Sequence, residues 1–105
     1  MSFRAYIAAF DLVAEAAESV APAAASIVVG AHRTRPNCYV TRVVFFDGEG
    51  AALREVAVPQ KHKKLSEHFA RALLQEACKH IGANAGSVRK CAEGVEWRAP
   101  EALAA

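Results

Sequence analysis

Lys61-His62-Lys63-Lys64 sets three lysines and a histidine in four consecutive residues, two positions after Pro59. A second basic run, His32-Arg33-Thr34-Arg35-Pro36, lies upstream. Such side chains neutralise phosphates, and the free N–H groups of a helix that starts after Lys64 turn further partial positive charge toward the same anion. Bases at a helix start are mildly disfavoured by its dipole, so Lys61, Lys63 and Lys64 point to an anionic partner; the plainer reading is a solvated face. Arg33 and Arg35 suit a groove or a phosphate backbone, and are otherwise an inert basic loop. Arg42 and Arg54 fall on adjacent predicted strands, where they either line an open sheet face or pair with Glu55.

Other reactive residues fit no known frame. Cys78-Lys79-His80 with Cys91 offers three metal donors, but a Cys-x-His pair on a helix diverges and no fourth ligand stands at zinc spacing. We expect no metal and no cofactor. His32, His62 and His68 have no Ser or Cys nucleophile, glycine elbow or carboxylate pair beside them in a recognisable arrangement. Gly48 and Gly50 belong to the acidic stretch Asp47-Gly48-Glu49-Gly50, which repels a nucleotide phosphate. No catalytic residue is expected.

The chain has 105 residues, 53% hydrophobic and 23% charged, enough for one domain with its own core. We expect that domain over residues 1–98, with 99–105 a flexible tail. No run reaches the roughly 18 apolar residues of a membrane span, and the start lacks a signal-peptide pattern. Cys38, Cys78 and Cys91 are an odd set at unrelated spacings, so they are read as free thiols in a reducing, cytoplasmic compartment. The net charge of +2 hides an asymmetry: residues 27–46 and 61–80 each carry +3, while 1–26 and 47–60 each carry −2. Blocks of this kind attract an anionic surface although the whole is nearly neutral.

The elements that hold these runs follow from periodicity. Phe3, Tyr6, Ile7, Phe10, Val13, Ala14 and Ala17 recur at helical spacing up to Pro22; the portion Phe3 to Phe10 also reads as a strand, and alanine density favours helix. Ile27-Val28-Val29 begins a strand that Gly30 bulges or ends, His32 to Asn37 reads as a loop, and Tyr39 to Phe46 is a strand. Asp47 to Gly50 is a turn into a returning strand, Leu53 to Val58. Leu65, Phe69, Leu73 and Ala77 form a helical stripe that Gly82 ends. Val88 to Glu93 is either a helical turn or a strand, and Val95 to Arg98 a short strand with Trp97. The predicted fold is α+β: helix, three-stranded antiparallel sheet, helix, with a short C-terminal extension.

That order resembles the double-stranded RNA-binding domain over roughly residues 3–80. The loop His32 to Pro36 is similar to that family's His- and Pro-bearing loop, and Lys63-Lys64-Leu65-Ser66-Glu67 to its lysine motif, with Ser66 in place of Ala and Glu67 in place of the last lysine. The stretch Tyr39-Val40-Thr41-Arg42-Val43-Val44, Asp47 to Gly50, Val58-Pro59 and Leu65 also resembles the single-stranded-DNA-binding transcriptional coactivators, which dimerise and grip strands on a curved sheet. Both resemblances imply nucleic acid.

The sequence therefore predicts a small non-catalytic module contacting phosphate backbone, RNA or DNA, through Arg33, Arg35, Arg42, Lys61, Lys63 and Lys64. The alternative is a protein-interaction module, a regulator of a larger nucleic-acid machine, with an acidic protein surface or a second copy as partner. Either way no membrane is expected.

Overall fold

The computed structural model describes residues 3–36, 38–60, 67–83 and 85–100. Their order is α1 (Phe3–Val20), β1 (Ser26–Arg35), β2 (Cys38–Phe46), β3 (Ala52–Gln60), α2 (Glu67–Ile81), β4 (Ser87–Lys90) and β5 (Gly94–Arg98). The strands form one antiparallel sheet ordered β3-β2-β1-β5-β4. No described helix is long and apolar enough to cross a membrane.

The predicted three-stranded sheet is thus corrected to five strands, while the α+β class stands. The extra pair comes from the C-terminal segment, which enters the sheet beside β1 instead of continuing from β3. The alternation that carries β5 is short: Val95 and Trp97 are buried on one face while Glu96 and Arg98 point to the other. Five residues give little periodic signal, and only docking against β1 decides the state of so short a strand.

A second correction concerns His32 to Asn37. The polar residues His32 to Arg35 are strand, in register with Val40, Tyr39 and Cys38 of β2 and with a shift between Arg33 and Arg35. β1 runs through Gly30 without ending there. β5 accompanies β1 only from Ser26 to Gly30, so beyond Gly30 the β1–β2 hairpin continues as an arm bordered by β3 alone.

Both helices cover one face. Ala9, Val13, Ala16 and Ala17 of α1 and Phe69, Ala70, Leu73, Leu74 and Ala77 of α2 pack with Ile27, Val29, Val43, Phe45, Val56, Val58, Val95 and Trp97. The small alanines let α1 approach closely, and Phe10 meets Phe69 edge to face at 6.3 Å between ring centres. Acids in the second half of α1 oppose its dipole. They have partners elsewhere: Glu15 faces Arg54 of β3, and Glu18 faces His80 of α2. Gly82 ends α2 at φ +76, with the amides of Gly82 and Ala83 donating to the carbonyls of Lys79 and Cys78 at 3.3 and 2.9 Å. A side chain at Gly82 would strain that left-handed residue.

Candidate nucleic-acid interface

Arg33 and Arg35 lie near the tip of the arm, and both are exposed. The hairpin there is tied by the Thr34 hydroxyl, which donates to the Cys38 carbonyl at 3.4 Å. Across the sheet, Arg33 is opposite Tyr39 and Tyr39 is opposite Gln60. Gln60 is the last residue of β3, so the chain enters Lys61-His62-Lys63-Lys64 from the same end of the sheet that carries Arg33 and Arg35. Lys61, Lys63 and Lys64 themselves lie outside the described residues. The described topology sets the end of β3, from which the chain leads into the second basic run, beside the end of β1 that carries Arg33 and Arg35.

The arginines separate into two groups. Arg42 pairs with Glu55, Arg54 with Glu15, Arg71 with Glu67, and Arg89 and Arg98 share Glu96. Among the described residues, Arg33 and Arg35 alone of the arginines with described side chains have no carboxylate within ion-pair distance. A paired guanidinium must give up its partner to meet a phosphate; an unpaired one meets it directly.

Arg42 does not join this group. It alternates with Val43 and Phe45 of the covered face, so it projects from the open face of the sheet, where Glu55 on the neighbouring strand holds it. Arg54 projects to the opposite side and reaches α1, its Nη1 donating to Ser19 Oγ at 2.8 Å. One residue was not anticipated. Lys90, at the end of β4, places Nζ 3.2 Å from Glu67 Oε1, and Arg71 is 3.7 Å from the same oxygen. Glu67 is the residue that reverses the charge of the lysine motif, and two cations from other turns and strands offset it. Nothing in the local sequence signals the Lys90 contact, because β4 and α2 come together only in the tertiary fold.

The other end of the sheet has the opposite character. Asp47 Oδ1 accepts the amides of Glu49 and Ala51, both at 2.9 Å, and closes the β2–β3 turn with Glu49 exposed beside it. The nine residues of β2, about 30 Å of strand, separate the turn from the arm, several screening lengths at physiological salt, so the acidic turn does not cancel the field at the arm.

The remaining reactive groups are placed as structural elements. Burial pushes the Cys78 thiol up to about 11, which leaves it protonated and a poor nucleophile at neutral pH. His32 stands 3.7 Å from Glu93 in the β4–β5 turn. His80 lies between Glu18 Oε1 at Nδ1 and Glu76 Oε1 at Nε2, each at 2.9 Å. Among the described residues, no group of three His, Cys, Asp or Glu side chains is arranged to hold a metal.

Comparison of the chain with family models, curated proteins and solved structures finds no match in any of the three.

Proposed function

We propose that this chain is a non-catalytic nucleic-acid-binding module that holds phosphate backbone between the β1–β2 arm and the segment leading into α2. Arg33 and Arg35 supply one set of contacts and Lys61, Lys63 and Lys64 the other. The observation that supports the reading is the pairing pattern: among the described residues Arg42, Arg54, Arg71, Arg89 and Arg98 are engaged by glutamates, while Arg33 and Arg35 stand unpaired on a projecting arm. Arg42 is left out of the contact set, since binding through it would first break its pair with Glu55.

Duplex is favoured over single strand. Single-strand binders stack bases on exposed aromatic rings, whereas Tyr39 is the one aromatic residue on the described part of the arm and it is half-buried. Cations without stacking platforms suit a regular backbone.

The test is binding of the nucleic-acid-free protein to labelled double-stranded RNA, double-stranded DNA and single-stranded DNA at two salt concentrations. Tight binding should weaken with salt at a slope of roughly 0.9 per phosphate contacted on duplex DNA. Arg33→Glu with Arg35→Glu should lower affinity by on the order of tenfold or more and flatten that slope. Arg42→Gln should leave both unchanged. Absence of binding to all three ligands at low salt would sink the proposal.

A further inference from the structure

The sheet ends in two edges, β4 and β3, and they are built on different lines. β4 has four residues, and its Arg89 and Lys90 side chains are 59% and 75% exposed. A short strand with exposed cations resists pairing with another chain. β3 has nine residues, about 30 Å of backbone, and among the described residues only β2 borders it. Both of its charges are engaged within the protomer: Glu55 by Arg42, and Arg54 by Ser19 and Glu15. Its blunting features are Pro59 and the register shift at Leu53 near the other end, and a proline on an edge strand turns its missing N–H outward. Alternation then leaves the amides of Glu55 and Ala57 facing outward, up to the register shift with β2 at Leu53.

Exposed apolar side chains flank this edge on both layers. Leu53 is 38% exposed on the open face, and Leu12 of α1 is 46% exposed. Ala8, Leu12, Glu15 and Ser19 form one stripe along α1, and the contacts of Arg54 with Glu15 and Ser19 turn that stripe toward β3. The contacts Phe10–Phe69 and Glu18–His80 set α1 parallel to α2, and Glu67 at the start of α2 meets Lys90 at the end of β4, a strand parallel to β3, so both helices run antiparallel to β3. Leu12 lies about 7 Å back along the helix from the middle of the Arg54 contact. That is about two strand residues, level with Val56.

We propose that β3 pairs antiparallel with the β3 of a second copy about a two-fold axis at Val56, joining two five-stranded sheets into one. The edge is self-complementary in this register. Val56 is the midpoint of Ala52–Gln60, so the regular stretch 54–58 overlaps itself about the axis, with the register shift at Leu53 outside it. Arg54 falls opposite Val58 and Glu55 opposite Ala57, whereas an axis at Arg54 or Glu55 would set like charges against each other, which destabilises a pair. Glu55 and Ala57 exchange hydrogen bonds across the axis, and Leu12 approaches its own copy in the helix layer. A strand about 30 Å long beneath a helix layer offers a footprint of roughly 600 Å² per protomer, near the ~800 Å² of a standard interface. The two-fold axis reverses strand direction, so the two basic arms lie at opposite ends of the joined sheet.

Sedimentation velocity of the full chain, freed of nucleic acid, over a concentration series tests this. The expected result is a mass moving from 11.2 kDa toward twice that value as concentration rises, and Leu12→Lys with Leu53→Lys remaining at the monomer mass with unchanged circular dichroism. Amide exchange supplies a readout that needs no variant: protection at Glu55 and Ala57 should fall on dilution while protection in β1 is kept. A protein that stays monomeric at the highest concentration overturns the proposal. So does a dimer that survives both substitutions with Glu55 and Ala57 unprotected, since another surface then joins the copies.

Discussion

Phe45 and Phe46 are neighbours in the chain with opposite fates. Phe45 is fully buried under the helices, while Phe46 is half-exposed on the open face of the sheet. The covered face carries Ile27, Val29, Val43, Phe45, Val95 and Trp97, all buried. The open face sets Val28, Val44 and Phe46, none fully buried, among ion pairs: Arg42 with Glu55, and Arg89 and Arg98 with Glu96. One sheet therefore has a face whose stability comes from packing and a face whose charges mainly hold one another. The faces differ because both helices lie on the same side.

Substitutions sharpen this contrast by degrees. Phe45→Ala should cost about 3–5 kcal/mol of unfolding free energy, as removal of a fully buried ring usually does, measured by denaturant melts. Gly94→Ala is next and is the exception on the open face. A Cβ there would stand 2.2 Å from the Val29 carbonyl oxygen, because Gly94 lies directly opposite Gly30 and closes the two-residue Ala92-Glu93 turn with Cys91. We expect a loss of about 1–3 kcal/mol from overpacking and loosening of β5 seen by amide exchange. Phe46→Ala should cost only about 1 kcal/mol, in keeping with a half-exposed ring. If Phe46 instead cost as much as Phe45, the open face would be covered in solution.

Arg42→Met should change stability by less than about 1 kcal/mol, since both partners of its pair are partly exposed. The smallest effect is a slope with pH. The imidazolium of His80 donates to Glu18, the main cause that raises its pKa above 6.5; partial burial opposes this and Glu76 adds to it. A raised folded pKa gives stability that is fully present below the unfolded value near 6.5 and is lost as pH rises through the folded value. The melting temperature of the wild type should therefore fall across that window relative to His80→Gln, which removes the titration. Equal slopes in the two proteins would mean that His80 does not tie α1 to α2.

Long periodic segments were readable without a structure. The stripe of α2 over 69–77, the alternation of β2 and β3 and the turn at Asp47 to Gly50 appear where spacing places them, because burial of one face imposes a period that the residues must obey; in α1 Val13 and Ala17 turn inward as expected, while Ile7 is exposed and Ala9 and Ala16 take core places. The arm at His32 to Arg35 was not readable. Its polar residues carry no apolar alternation, and backbone pairing with β2 alone makes it strand. Lys90 beside Glu67 was equally hidden, since the two residues meet across a strand and a helix.

By itself the sequence determined an α+β class, part of the core, such as Val13, Phe69, Leu73 and Ala77, and two separate blocks of positive charge. The tertiary structure decided that β3 ends beside the arm that carries Arg33 and Arg35, that among the described residues these two have no carboxylate partner while Arg42 has one, and that β5 and β4 extend the sheet beyond β1. The reason is physical. Periodicity reports which face of an element is buried, while the choice of neighbour depends on contacts between residues far apart in the chain, to which no local pattern is sensitive.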